Sequence, residues 1–218
     1  SLDSAGAAIN LGHNKGLEEK KIISSLKKLA NNREERRMMS DKGRLLVDGR
    51  GAERVIYAMN APLLRKAGKD DCRFVWELSN SREVREVSFS QASITWETHR
   101  EWYGKMTKDK DCFFLIAETP EGVKAGQVRF RINGKNAAIS TSLTPEFRGK
   151  GYGNMLIAQG SESLFRSSKV GVIHAYIKAE NKGSVKSFVG AGYCQTDIDN
   201  FAIENNSLHL VMKRGGGG

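Results

Sequence analysis

The chain predicts an α/β (α+β) fold: a mixed, mostly antiparallel central sheet flanked by helices, with a small, mainly helical appendage at the N-terminus. Three observations carry that expectation. From Pro62 onward, short runs rich in β-branched and aromatic residues alternate with segments whose apolar residues recur at helical spacing. Asn133-Gly134 is a tight hairpin signal between two of those runs. The stretch Arg148-Gly149-Lys150-Gly151-Tyr152-Gly153 falls between a strand pattern and a helix pattern, where backbone without Cβ atoms can wrap an anion.

A length of 218 residues holds one good-sized domain, or one domain plus an appendage. Hydrophobic content of 39% with 28% charged residues fits a globular chain and excludes a disordered one. No apolar run reaches membrane-spanning length, and the start lacks a signal pattern. Cys72, Cys112 and Cys194 are few, odd in number and unclustered, which argues against a disulfide framework or a metal site and for a reducing cytoplasm. The net charge of +10 is scattered, as in Arg33-Glu34-Glu35-Arg36-Arg37, without a basic run interleaved with aromatics. It reads as solvated helix faces plus attraction for a phosphorylated small molecule, with neither nucleic acid nor membrane expected as a partner.

Residues 1–60 form the appendage. Ala7 to Leu11 reads as a short strand; Leu17, Ile22, Ile23, Leu26 and Leu29 trace an amphipathic helix ending near Asn31-Asn32. A second helix runs from Arg33 to about Leu46, Asp48-Gly49-Arg50-Gly51 breaks it, and residues 52–59 suit a third. Residues 61–214 form the main domain. Leu63 to Lys66 is its first strand, and Asp70-Asp71 cap a helix carrying Phe74, Val75 and Leu78. Thr95 or Ser93 caps another helix through Trp102, Tyr103 and Met106. Strands follow at 112–118, 123–132 and 136–143, the last entered by the hairpin. After the glycine stretch come a helix with Met155, Leu156, Ile157 and Leu164, a strand at 172–177, a helix at 182–191, and strands near 193–197 and 208–213. Residues 215–218 are a flexible glycine tail.

The glycine stretch admits three phosphate-binding readings. A P-loop needs Ser or Thr after Gly-Lys at a spacing this chain lacks, and a dinucleotide fingerprint needs Gly-x-Gly-x-x-Gly where this chain has Gly-x-Gly-x-Gly. Arg-x-x-Gly-x-Gly resembles the acetyl-CoA loop of the GNAT acetyltransferase superfamily; a turn without a ligand is the remaining reading. The order of elements also resembles the GNAT fold. A second signature agrees: Asn181-Lys182-Gly183-Ser184, Phe188 and Gly192-Tyr193 match the superfamily's Asn-x-x-Ser/Ala, aromatic, Gly-Phe/Tyr pattern.

Trp76 to Asn80, Val84-Arg85, Ser88-Phe89, Ile94, His99 and Trp102 resemble the substrate-side helices of GNATs that acetylate amino sugar nucleotides, including the acetyltransferase of pseudaminic acid biosynthesis. Residues 1–60 resemble the C-terminal tail of the nucleotide-sugar hydrolases of the same pathway, without their catalytic parts. A longer hydrolase–acetyltransferase fusion would account for a first residue that is Ser rather than Met.

The resemblance implies acetyl-CoA as co-substrate, held by Leu143, Arg148, Gly149, Lys150, Gly151, Tyr152 and Gly153, with Asn181 and Ser184 bonding the pantetheine arm. Asn181 also suits a helix N-cap. Leu143 would polarise the thioester carbonyl through its N–H. The slot seven residues after Asn181, a Tyr in many relatives, is Phe188, which has no proton to give. Ser142 is then the candidate proton relay, or an ordinary strand serine; Tyr176 and Tyr193 are further hydroxyls. For the acceptor, His99 could bond phosphate or hydroxyl, Arg85 could meet a diphosphate and Trp102 could stack on sugar or base. Alternatively, His99 lies on a helix surface, Arg85 is solvated and Trp102 is core.

The expected activity is N-acetylation of the 4-amino group of a UDP-linked amino-dideoxy sugar, by direct attack of the neutral amine on the thioester. A GNAT acting on protein N-termini or another small amine is the first rival, and an acetyl-CoA-binding module without catalysis the second. Expected partners are thus a small-molecule amine, with a second copy of the chain and the rest of a fusion chain as further options.

Overall fold

A computed structural model describes residues 3–12, 18–46, 61–197 and 199–215. The helix predicted over 52–59 lies outside them, as does the tail from 216. Two compact units result, Ser1–Met59 and Asn60–Gly218.

In the first unit, helix α1 (Glu19–Asn31) is followed by α2 (Arg33–Leu46). Asn32 separates them: its Oδ1 accepts from the Glu35 amide at 3.0 Å, capping α2. Lys28 and Glu35 then pair at 2.6 Å. The strand predicted over 7–11 does not form. That segment closes on itself, the Asn10 amide on Asp3 Oδ1 at 3.3 Å and the Gly12 amide on Asn10 Oδ1 at 2.9 Å. Such local side-chain bonds compete with a ladder, and no partner strand is described in this unit.

The second unit begins with β1 (Leu63–Lys66), then α3 (Cys72–Asn80), α4 (Arg82–Val87) and α5 (Trp96–Met106). Strands β2 (Cys112–Glu118), β3 (Lys124–Asn133) and β4 (Asn136–Leu143) form a meander. The chain then crosses through α6 (Tyr152–Ser167) to β5 (Val172–Lys178), and through α7 (Lys182–Gly190) to β6 (Cys194–Gln195). A short helix α8 (Asn200–Glu204) leads into β7 (Ser207–Lys213). Among the described residues these strands make one sheet in the order β1-β2-β3-β4-β5-β7-β6, in which only β4 and β5 are parallel neighbours.

Alternation along the strands gives the sheet two different faces. Leu115, Val128, Phe130, Ile173 and Ala175 pack with Leu156, Ile157 and Leu164 of α6. Phe114 and Ile116 point the other way, onto Val75 of α3 and Tyr103 of α5. On that second face lie the polar residues of β3 to β7 discussed below.

Asp71 does not cap α3, as the sequence suggests it should. It is buried, accepts from the Gly68 amide at 2.8 Å, and pairs with Arg65 of β1 and Lys124 of β3, each at 2.7 Å. Thr95 is the cap of α5, accepting from the Thr98 amide at 3.3 Å. The strand expected near 193–197 shrinks to two residues, and α8 carries no signal long enough to have been read.

Candidate active site

Only Asn136, Ala137 and Ala138 of β4 pair with Val172, Ile173 and His174 of β5. Beyond them the two parallel strands part, and the middle of the sheet opens in the direction both run. The Thr144 amide donates to the Ala125 carbonyl at 2.9 Å. Antiparallel alternation therefore sends the amides of Ser140 and Ser142 to β3 and turns those of Thr141 and Leu143 into the opening.

The glycine loop sits at the mouth of that opening. Gly149 and Gly151 have φ of 70° and 84°, left-handed values that favour glycine. Among the described residues, the amides of Gly149, Lys150, Gly151 and Gly153 have no backbone acceptor. They lie at the start of the 16-residue helix α6, whose orphan donors and positive end favour an anion. Arg148 turns back and donates from Nε to the Leu143 carbonyl at 2.9 Å, which binds the loop to the end of β4. A Cβ on Gly153 would lie 2.9 Å from Ser187 Oγ, so α7 abuts the first turn of α6. Asn181 caps α7, its Oδ1 accepting from the Ser184 amide at 3.1 Å. Leu143, the 148–153 loop and the α7 cap thus come from three adjoining elements.

Phe188 is buried edge-on to Tyr193, ring centroids 5.0 Å apart. The Tyr193 hydroxyl is 2.8 Å from Ser161 Oγ, and burial pushes its pKa up. Both belong to the core under α6. Ser142 lies across the β3–β4 pair from Gln127, which is 7% exposed. Gln127 Oε1 is buried with no hydrogen-bond partner among the described residues. An orphaned acceptor costs about 1–3 kcal/mol, and a donor on a bound molecule would satisfy it. No periodicity in the sequence could reveal Gln127, because its burial depends on strand register.

The three residues expected to contact the acceptor are each engaged with their own neighbours. His99 is 2% exposed, and its Nε2 is 3.1 Å from the Cys72 carbonyl, with rings of Trp96, Trp102 and Tyr103 around it. Burial, only partly opposed by that bond, holds its pKa below the usual histidine range. Its ring is buried in the packing between helices, not on a helix surface. Arg85 folds onto its own loop, reaching the Ser90 and Ala92 carbonyls at 3.1 Å and Ser88 Oγ at 3.2 Å, and so shapes residues 88–92. Trp102 packs in the second-face core with the Arg129 guanidinium 4.7 Å from its ring. Among the described residues Arg129 has no ion-pair partner.

What borders the opening on the second face is a set of which the sequence singled out only Tyr176, as a candidate hydroxyl. Tyr176, two residues past the last β5 residue paired to β4, donates its hydroxyl hydrogen to Asp199 Oδ2 at 2.6 Å. Its ring stacks on His209 at 4.6 Å and meets Phe201 at 4.7 Å. Phe201 touches Phe89 at 5.5 Å, and Lys178 Nζ reaches the Glu86 carbonyl at 3.4 Å. Residues 86–89 and 199–201 therefore meet over this face. The separation is too long-range for any local motif to announce it.

An acetyltransferase (GNAT) domain model matches residues 63–193. The spermidine N(1)-acetyltransferase of Vibrio cholerae serotype O1 is 25% identical over 162 residues, covering 72% of this chain and 92% of that protein. Among solved structures, the Vibrio cholerae spermidine N-acetyltransferase in complex with CoA and spermine superposes with a TM-score of 0.62 at 21% identity, covering 69% of this chain and 94% of that one. The aminoglycoside acetyltransferase AAC(6')-Ib in complex with coenzyme A gives 0.58 at 17% identity over the same shares. These two likenesses are of fold. No helix among the described residues is long and apolar enough to cross a membrane.

Proposed function

The chain belongs to the GNAT acetyltransferase family, and from that premise we propose that it N-acetylates the amino group of a UDP-linked amino-dideoxy sugar. Acetyl-CoA is its co-substrate. The observation that supports the placement is the opening between β4 and β5, flanked by the Leu143 amide and closed by the positive-φ loop. The residues present fit that ligand. An extended pantetheine arm finds strand amides to pair with, and a pyrophosphate finds converging N–H donors at a helix start. Arg148, Lys150, Asn181 and Ser184 remain its proposed holders, and acetyl-CoA supplies the activated acyl group.

On this reading the Leu143 N–H polarises the thioester carbonyl, and Ser142 with Gln127 Oε1 orients the incoming nitrogen. Charge favours an anionic acceptor: the chain carries +10, and Arg129 on the acceptor-side face has no ion-pair partner among the described residues. A nucleoside diphosphate is drawn to such a protein, whereas a polyamine is repelled. The resemblance of residues 1–60 to a nucleotide-sugar hydrolase tail supports the same pathway of surface nonulosonic acids, in the cytoplasm. Acetylation of a polyamine is the second reading, favoured by the Vibrio relative.

Thiol release measured across UDP-amino sugars, spermidine, an aminoglycoside and an N-terminal peptide decides between them. Turnover of a UDP-amino sugar at well over tenfold the kcat/KM of spermidine is expected. The reverse order would establish the second reading.

A further inference from the structure

We propose that the paired histidines His174 and His209, set behind Asp199 and Tyr176, take up the proton that the acceptor ammonium must lose before it attacks. This rests on the amine-acetyltransferase reading above, whichever amine is accepted.

Hydrogen counting carries the inference. His209 Nδ1 lies 3.1 Å from the Asp197 carbonyl, which can only accept. His174 Nε2 lies 2.9 Å from Asn136 Oδ1, also an acceptor. Between the rings, His174 Nδ1 and His209 Nε2 are 2.9 Å apart. Three contacts need three hydrogens, and two neutral imidazoles carry two. A neutral pair therefore leaves one contact bare, and one added proton completes the set. With His174 donating to Asn136 and His209 Nε2 donating to His174, the bare atom is His209 Nδ1. That atom is 3.6 Å from Asp199 Oδ2, a countercharge for the proton it would gain.

Position fits the role. His209 is 6% exposed, while Asp199 in front of it is 41% exposed and reaches solvent. Tyr176 commits its hydrogen to Asp199, so its oxygen has only lone pairs to offer an ammonium. Burial and that bond push its pKa up to about 12, so it keeps its proton. The charges acting on the set are mainly its own members: His209 and Asp199 on His174, and Asp199 on Tyr176. Lys178, next on this face of β5, is held by the Glu86 carbonyl, and Arg131 of β3 pairs with Asp109.

The proton passes from the ammonium to Asp199, directly or as Tyr176 Oη takes it up while handing its own hydrogen to Asp199 Oδ2, and on to His209 Nδ1; the pair later returns it to water. The neutral nitrogen then forms the C–N bond as the C–S bond breaks. Its second proton ends on the departing CoA sulfur. Asp199 and Tyr176 touch the acceptor; His209 and His174 act through them and are positioning residues.

The test is kcat/KM against pH for the full chain, with the amine that wild type turns over best. His209→Gln and His174→Gln should keep acetyl-CoA binding by calorimetry and lose roughly a hundredfold near neutral pH. Most of that loss should return as the pH approaches the amine's own pKa, where substrate arrives neutral. A loss equal at every pH, or none, overturns the proposal. Imidazole 15N shifts give a reading without turnover: the two histidines should titrate in one shared step, moved to lower pH by Asp199→Asn. Two independent steps that ignore Asp199→Asn overturn it even if no amine is accepted. If the shared step holds while every UDP-amino sugar is rejected, only the sugar reading fails.

Discussion

Arg148 donates from Nε to the carbonyl of Leu143 at 2.9 Å, so the first residue of the glycine loop is fastened to the last residue of β4. The bond fixes the loop mouth at the point where the two parallel strands have parted.

Cutting this tether should loosen cofactor binding before chemistry. Arg148→Ala is expected to raise the KM for acetyl-CoA about tenfold, in line with ~1.5 kcal/mol for a charge-assisted bond. The KM of the acceptor should hardly move. Steady-state kinetics with each substrate varied in turn checks this, and an equal rise in both values would contradict it.

Gly126 faces the same strand end from β3. A Cβ there would lie 2.4 Å from the Ser142 carbonyl oxygen and 2.8 Å from Leu143 Cδ2. Since the nearer atom is backbone, Gly126→Ala must push β4 aside. A loss of about 1–3 kcal/mol in unfolding free energy is expected, with weakened acetyl-CoA binding. Denaturant titration and calorimetry on one preparation test both parts.

Asp71 should make the fold acid-sensitive. Burial acts to raise its pKa, but bonds from Arg65 and Lys124 prevail and hold it below the usual carboxylate range. A depressed carboxylate contributes stability above its unfolded pKa, near 3.8, and loses it as pH falls toward the folded value. Asp71→Asn should cost about 1–3 kcal/mol at neutral pH by removing the buried carboxylate that Arg65 and Lys124 share, although Arg65 keeps Glu118. Below about pH 4 the gap between wild type and variant should narrow, as seen by urea unfolding at several pH values.

Phe201 closes over Tyr176 and meets Phe89, linking the two segments above the acceptor-side face. Phe201→Ala should raise the acceptor KM several-fold while the acetyl-CoA KM stays put, the opposite split from Arg148→Ala. No change in either value would remove this aromatic contact from the acceptor site.

The order of elements, the bend of the glycine loop and the Asn181 cap were largely legible in the sequence, for a physical reason. The loop from Arg148 to Gly153 and the Asn181 cap are local: glycine φ values and a side-chain cap depend on residues within four positions. The packing on the second face of the sheet was not legible. His99 matches a substrate-side pattern yet points inward, because burial depends on which face of α5 meets α3. Asp199 and His209 gain meaning only when β7 is laid beside β5, and Gln127 only when the β3–β4 register sets its side. The predicted strand at 7–11 shows the same limit in reverse: a suitable pattern with no partner to pair with.

The three rungs that join β4 to β5 divide the sheet into two leaves, β1–β4 and β5–β7–β6. On the assignments above, the first leaf presents mainly backbone to the cofactor, and the second presents side chains to the acceptor. Backbone recognition survives most substitutions, so the second leaf and the loops over it can be rewritten at little cost to the first. A seam of this kind lets a lineage change its clientele while keeping its currency.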